Sequence, residues 1–175
     1  MKSLIGLFLF VSIVAIPAHA EKTEQQCRGD APLELYRDGC IKEARAAFER
    51  QLREAEAGSI DPKGRRRLFD ALIAIAWFED ETGNHQNAIA LSNRALEIAS
   101  SLDDSCMMAR SLAWLGWSYS SMGAYHAARD LYENAVQLAA PAGQVKFVPV
   151  WGLSTQELGA LKVKMGEVDE GRKLI

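Results

Sequence analysis

The chain has 175 residues, with 20 Lys and Arg against 23 Asp and Glu, a formal net charge of −3, and hydrophobic residues making up 49% of it. That length suits one domain of ordinary size, and so mild an acidic balance gives no overall pull towards nucleic acid or an anionic membrane. No Pro-, Gly- or Ser-rich linker long enough to divide the chain occurs, so residues 21–175 are expected to form a single domain.

Met1 and Lys2 make a short positive start, Leu4 to Ile16 is an uncharged apolar run, and Pro17-Ala18-His19-Ala20 closes it with a small-x-small site. This is the pattern of a secretory signal peptide, residues 1–20, cleaved after Ala20. The apolar run is shorter than the roughly 20 residues of a membrane span, so no integral membrane segment is expected after cleavage. Glu24-Gln25-Gln26 before Cys27 lacks the small apolar residues that lipoprotein processing wants. The expected location is the bacterial periplasm, or secretion.

Three cysteines follow. Cys27 precedes the first helix and Cys40 lies just after Gly39, with only a short helix, Pro32 to Arg37, between them. Oxidative folding allows that pair to close, and by the chain-entropy argument such a loop contributes about 3 kcal/mol. Cys106 stands within an apolar periodic run and reads as a buried small hydrophobe, the alternative being a reactive thiol or an intermolecular bridge.

Helices are expected throughout. Ile41 to Ala57 carries Ala44, Ala47, Phe48, Leu52 and Ala55 at spacings of three and four, one apolar stripe. Asp61-Pro62 opens the next helix, with Asp as cap and Pro in the first turn; it runs to about Glu81, and its partner spans His85 to Ser100. Asp103 or Asp104 caps a helix ending near Met122. Ala124 to Ala140 follows, broken by Pro141-Ala142-Gly143. Pro149 opens the last full helix, to about Met165, and Glu167 to Ile175 is half of another. Leu174-Ile175 leaves either a frayed end or an apolar edge open to self-association through the C-terminal repeat.

Gly39, Gly83, Gly123 and Gly166 stand 44, 40 and 43 residues apart, each between two apolar periodic segments, where a helix ends in a left-handed residue and the chain reverses. Around Gly123, Leu112, Leu115, Gly116, Tyr119, Tyr125, Ala128, Tyr132 and Ala135 form an ordered set of hydrophobic, small and aromatic positions. Around Gly83 the set is Leu72, Ile75, Ala76, Ala88 and Ala95, with Glu79 and Ser92 where aromatics are preferred. In this order of positions the chain resembles the tetratricopeptide-repeat (TPR) family. The expected fold is all-α, a TPR-like solenoid of about three to four antiparallel helix hairpins, with copies at about 27–58, 61–101, 104–141 and 148–175.

In that family the first helix of each pair lines a concave groove that usually holds another protein. The resemblance assigns to this groove Asp70, Ile73, Trp77, Asp80 and Glu81 in the second copy, and Arg110, Ala113, Trp117, Ser120 and Ser121 in the third. Gln156, Ala160 and Lys164 extend it into the fourth. Trp77 and Trp117 hold the same repeat position and would anchor a partner, with Asp80, Glu81 and Arg110 setting polarity. As residue types, the two tryptophans suit a core equally well, and Trp114 is expected inside.

Lys63, Arg65, Arg66 and Arg67 form the one dense charge run. It reads as a solvated helix start, or as a contact for lipid phosphate or an acidic partner. His85 and His126 flank turn glycines without metal-ligand spacing, and no nucleophile elbow, phosphate-binding loop or dinucleotide fingerprint occurs. No enzyme, cofactor, metal site or nucleic-acid partner is therefore expected. The expected function is a periplasmic interaction module, a scaffold or chaperone, that binds an envelope protein or peptide segment in the groove. The alternatives are an immunity-type protein neutralising a toxic periplasmic effector, or a repeat protein binding lipid or a small molecule.

Overall fold

The computed structural model describes Cys27, residues 29–139 and residues 148–175. The signal-peptide segment with its cleavage site, and the break at Pro141-Ala142-Gly143, lie outside the described residues. Within them are eight helices: α1 (Pro32–Arg37), α2 (Ile41–Ala57), α3 (Pro62–Glu81), α4 (His85–Ser101), α5 (Ser105–Ser121), α6 (Tyr125–Ala139), α7 (Val148–Lys164) and α8 (Val168–Leu174). They pack as four successive hairpins, and the first helices of the last three also touch in sequence, α3 with α5 and α5 with α7.

The hairpins reverse at the four expected glycines, whose φ lies between 78° and 89°. At Gly39 the amide donates to the Tyr36 carbonyl and the next amide, on Cys40, reaches back to Leu35; the same pair of bonds recurs at Gly83–Asn84, Gly123–Ala124 and Gly166–Glu167. This is the Schellman closure, which satisfies the last carbonyls of a helix and needs a left-handed residue after it. A fifth closure has no glycine. Asp103, at φ 50°, donates to Ser100 while Asp104 donates to Ala99. The two adjacent aspartates therefore divide the junction: Asp103 ends α4, and the Asp104 carboxylate caps α5 through the Met107 amide at 3.1 Å.

Asp61 caps α3 through the Gly64 amide at 2.6 Å, with Pro62 at the first helical position. Helix α1 has only 6 residues, too few to hold by its own hydrogen bonds. It is fastened by the disulfide Cys27–Cys40, Cα atoms 5.7 Å apart, and by burial of Pro32 and Leu35.

The main core runs from α1 to α5 and includes Leu35, Phe48, Phe69, Leu72, Phe78 and Met107; a smaller one gathers Ala128, Tyr132, Leu158 and Leu161. Within the third hairpin Gly116 is required by packing, since a Cβ there would lie 3.0 Å from the Tyr132 ring. In the second hairpin the same two positions hold Ala76 and Ser92, both buried: a methyl is added on one helix and a ring is lost on the other. Helices α7 and α8 cross at Gly159 and Gly171, where a Cβ on Gly171 would stand 2.6 Å from the Gly159 carbonyl oxygen. The repeat pattern does not mark that glycine pair.

Glu79 takes the place of Tyr119 in the preceding repeat and is 1% exposed. Its carboxylate is held by Arg45 of α2, whose guanidinium also lies over the Phe78 ring, and by the Asn84 side-chain amide at 2.8 Å. A charge-assisted network thus fills an aromatic site, and all of its partners come from the neighbouring hairpin or the adjoining turn.

Candidate functional site

Between the two cores the side chains do not close, and a pocket of about 140 Å³ remains. Helix α3 contributes Trp77 and Glu81, α5 contributes Ala113, Trp114 and Trp117, α6 contributes Tyr132, and α7 contributes Leu153 and Glu157. Three successive hairpins therefore build one site on the face where their first helices meet.

Its walls are aromatic. Trp114 and Trp117 stand edge to face with ring centroids 6.5 Å apart. Trp77 meets Tyr36 of α1 at 5.1 Å and Phe48 of α2 at 6.3 Å, so it belongs both to the core and to the pocket wall. Tyr132 is 2% exposed, and its hydroxyl has no hydrogen-bond partner among the described residues. Burial pushes its phenol far above the usual range, and the negative charges of Glu157 and Asp80 push in the same direction. Burial likewise raises Glu157 above the ordinary carboxylate value, with Lys164 opposing it. Glu81 is exposed at the rim and accepts a hydrogen bond from the Tyr36 hydroxyl at 3.3 Å.

Of the expected groove residues, Trp77, Glu81, Ala113 and Trp117 line this pocket together. Ile73 is buried, only 4% exposed, because that face of α3 turns into the core. Asp80 is also buried and lies outside the lining: one carboxylate oxygen lies 2.6 Å from His85 Nδ1, and the other has no hydrogen-bond partner among the described residues. Asp70 and Arg110 are spent on each other at 2.9 Å, with Arg110 over the Phe69 ring. Ser120 and Ser121 lie outside the lining.

The fourth copy is displaced. Leu153 and Glu157 reach the pocket, three residues before the expected Gln156 and Ala160 respectively. Three residues is about one turn of the same helix face. The turn glycine is a poor ruler here because the spacing from Gly123 to Gly166 exceeds the preceding spacing of 40. A step of 40 from Ala113 and Trp117 lands on Leu153 and Glu157, and this is the signal that the glycine count conceals. Trp114, expected inside, is half-buried and shares the wall.

The basic run is not one open patch. Arg66 is paired with Asp104 and Arg65 reaches the Ser101 hydroxyl at 3.4 Å, so both tie α3 to the junction before α5. Arg67 borders a shallow cleft between α2 and α3 with Gln51, Glu54 and Asp70. Cys106 is half-buried, not wholly buried as the apolar periodicity suggests. Cys27, Cys40 and Glu43 lie close enough to suggest metal ligands, but both thiols are consumed in the disulfide. No described helix is long and apolar enough to cross a membrane.

The family model for the tetratricopeptide repeat matches residues 67–140, the second and third hairpins. No curated protein sequence matches the chain. Among solved structures it is similar to BtubC (BKLC) from P. vanneervenii, with a TM-score of 0.66 at 19% identity over 77% of this chain. The apo form of RapI is similar with a TM-score of 0.67 at 12% identity over 82% of this chain. The aligned region spans 54% of the BtubC chain and 38% of RapI. The family match therefore covers the second and third hairpins, residues 67–140, and the likeness to the two solved structures shows the fold alone, an all-α stack of helical hairpins.

Proposed function

We propose that this protein is a non-catalytic interaction module of the cell envelope, which holds a segment of a protein partner on the face formed by α3, α5 and α7. The observation that carries this reading is the convergence of Trp77, Trp114, Trp117, Tyr132 and Leu153 on one open pocket. Leu153, 48% exposed, stands at its lip. Large apolar groups left at a surface are characteristic of interaction sites, and tryptophan is prominent among interface hot spots. A volume near 140 Å³ is below the roughly 300 Å³ at which small-molecule sites begin. It suits one side chain of a partner better than a whole lipid or metabolite.

The envelope location draws on the signal-peptide pattern of residues 1–20 and on the Cys27–Cys40 disulfide, which persists in oxidising compartments. A scaffold or chaperone role is the leading use, and neutralisation of an incoming toxic effector would employ the same surface.

A photo-crosslinking amino acid at Leu153, compared with one at exposed Glu97 on α4, tests the reading in the producing cell. The expected result is a defined protein cross-linked from 153, absent from 97, and lost on Trp117→Ala with helix content unchanged. Equal cross-linking from both positions, or insensitivity to Trp117, would move the interface elsewhere. A second copy of this chain as the cross-linked species would point to self-association.

A further inference from the structure

We infer that the pocket accepts the cationic head of a lysine or arginine side chain carried by the partner. This inference rests on the pocket reading above and adds the chemistry of what the pocket holds.

The lining combines four aromatic rings, Trp77, Trp114, Trp117 and Tyr132, with two carboxylates, Glu81 and Glu157, and among the described residues includes no Lys, Arg or His. Neither carboxylate forms an ion pair within the described residues; Glu157 feels Lys164 only at longer range. A half-buried carboxylate beside apolar rings has lost hydration without gaining a partner, which is unfavourable until a cation arrives. The ring faces add to the attraction, because their quadrupoles favour a positive charge over the face of Trp or Tyr. The Tyr132 hydroxyl, buried and without a hydrogen-bond partner among the described residues, supplies an oxygen that can accept from an ammonium or guanidinium. A neutral apolar side chain would fill the space but leave Glu157 dehydrated and unmatched. An acidic one would be repelled.

Size points the same way. A cavity of about 150 Å³ admits one benzene-sized group, and this one measures about 140 Å³, room for one side-chain head.

The test uses acetylated, amidated pentapeptides Gly-Gly-X-Gly-Gly, with X as Lys, Arg, norleucine or Glu, titrated into the protein while the tryptophan indole N–H resonances are followed by NMR. The expected result is movement of the Trp114 and Trp117 indoles with Lys and Arg, with norleucine binding weaker by roughly fivefold, the scale of one modest cation–π or ion-pair contribution. Glu157→Gln should weaken Lys binding by about the same factor and leave norleucine binding unchanged. The same substitution should preserve or raise Tm at neutral pH, because it removes a carboxylate that ionises at a cost in the fold. That combination of lost cation binding and retained stability separates a binding role from a structural one. If norleucine or Glu moves the indoles as effectively as Lys, the cationic inference is overturned while the pocket stands. If no peptide moves them, the cationic inference is again overturned, and the Leu153 cross-link decides the pocket reading independently.

Discussion

Asp103 and Asp104 are adjacent and chemically identical, yet the backbone gives them opposite tasks. Asp104 can cap because its φ of −103° and ψ of 95° are extended, which aims its carboxylate at the first amides of α5. Partial burial raises its pKa, but hydrogen bonds from Arg66 and from the Met107 and Cys106 amides outweigh that, and the carboxyl is held below its ordinary value of 3.8. A depressed folded pKa means that the stabilisation is complete well above 3.8 and is lost as pH falls from there through the folded value. Asp104→Ala is expected to cost about 1–2 kcal/mol at neutral pH, measured by urea denaturation, and to flatten the acid limb of the stability profile. Asp104→Asn should keep most of the capping and lose the pH dependence. Glu79 sets a second test at this scale. Arg45→Met strands a buried carboxylate and is expected to cost about 2–4 kcal/mol, discounted from a fully buried pair because Arg45 is partly exposed. The double variant Arg45→Met/Glu79→Leu should recover much of that loss. If the double variant is no better than the single, the cost lies in packing over Phe78 and not in the stranded charge.

At the scale of the element, α1 shows how a helix too short to persist alone is kept. Its Tyr36 packs on both Trp77 and Phe78, so the stability of α1 bears directly on the pocket wall. Cys27→Ser removes the disulfide while leaving buried Cys40 in place. The expected loss is about 3 kcal/mol, read as a fall in Tm with no further fall when reductant is added. The Trp77 environment should change in the same variant, seen in tryptophan fluorescence, because Tyr36 is no longer held against it. An unchanged emission would separate α1 from the wall.

Over the whole molecule the hairpins contact chiefly their neighbours, so stability should be distributed by nearest-neighbour interfaces and not shared equally. Gly171→Ala tests this. The added methyl meets the Gly159 carbonyl, and α8 must withdraw at a cost of about 1–3 kcal/mol. Hydrogen exchange should show lost protection in α8 and adjoining α7, with α2 to α4 unaffected; uniform loss would mean one cooperative block. The sequence by itself determined the helical hairpins, because glycines at the left-handed turns, aspartate caps and three-to-four spacing are local constraints that each segment carries with it. Ile41–Ala57 and Pro62–Glu81 accordingly form with the expected bounds. It also marked Trp77 and Trp117 by their common repeat position. Only the tertiary structure decided which side of α3 faces inward, burying Ile73 and Asp80, and which residues of α7 complete the pocket. Those outcomes depend on how one hairpin seats against the next, α3 on α5 and α5 on α7, through contacts between helices about 40 residues apart that no local pattern encodes.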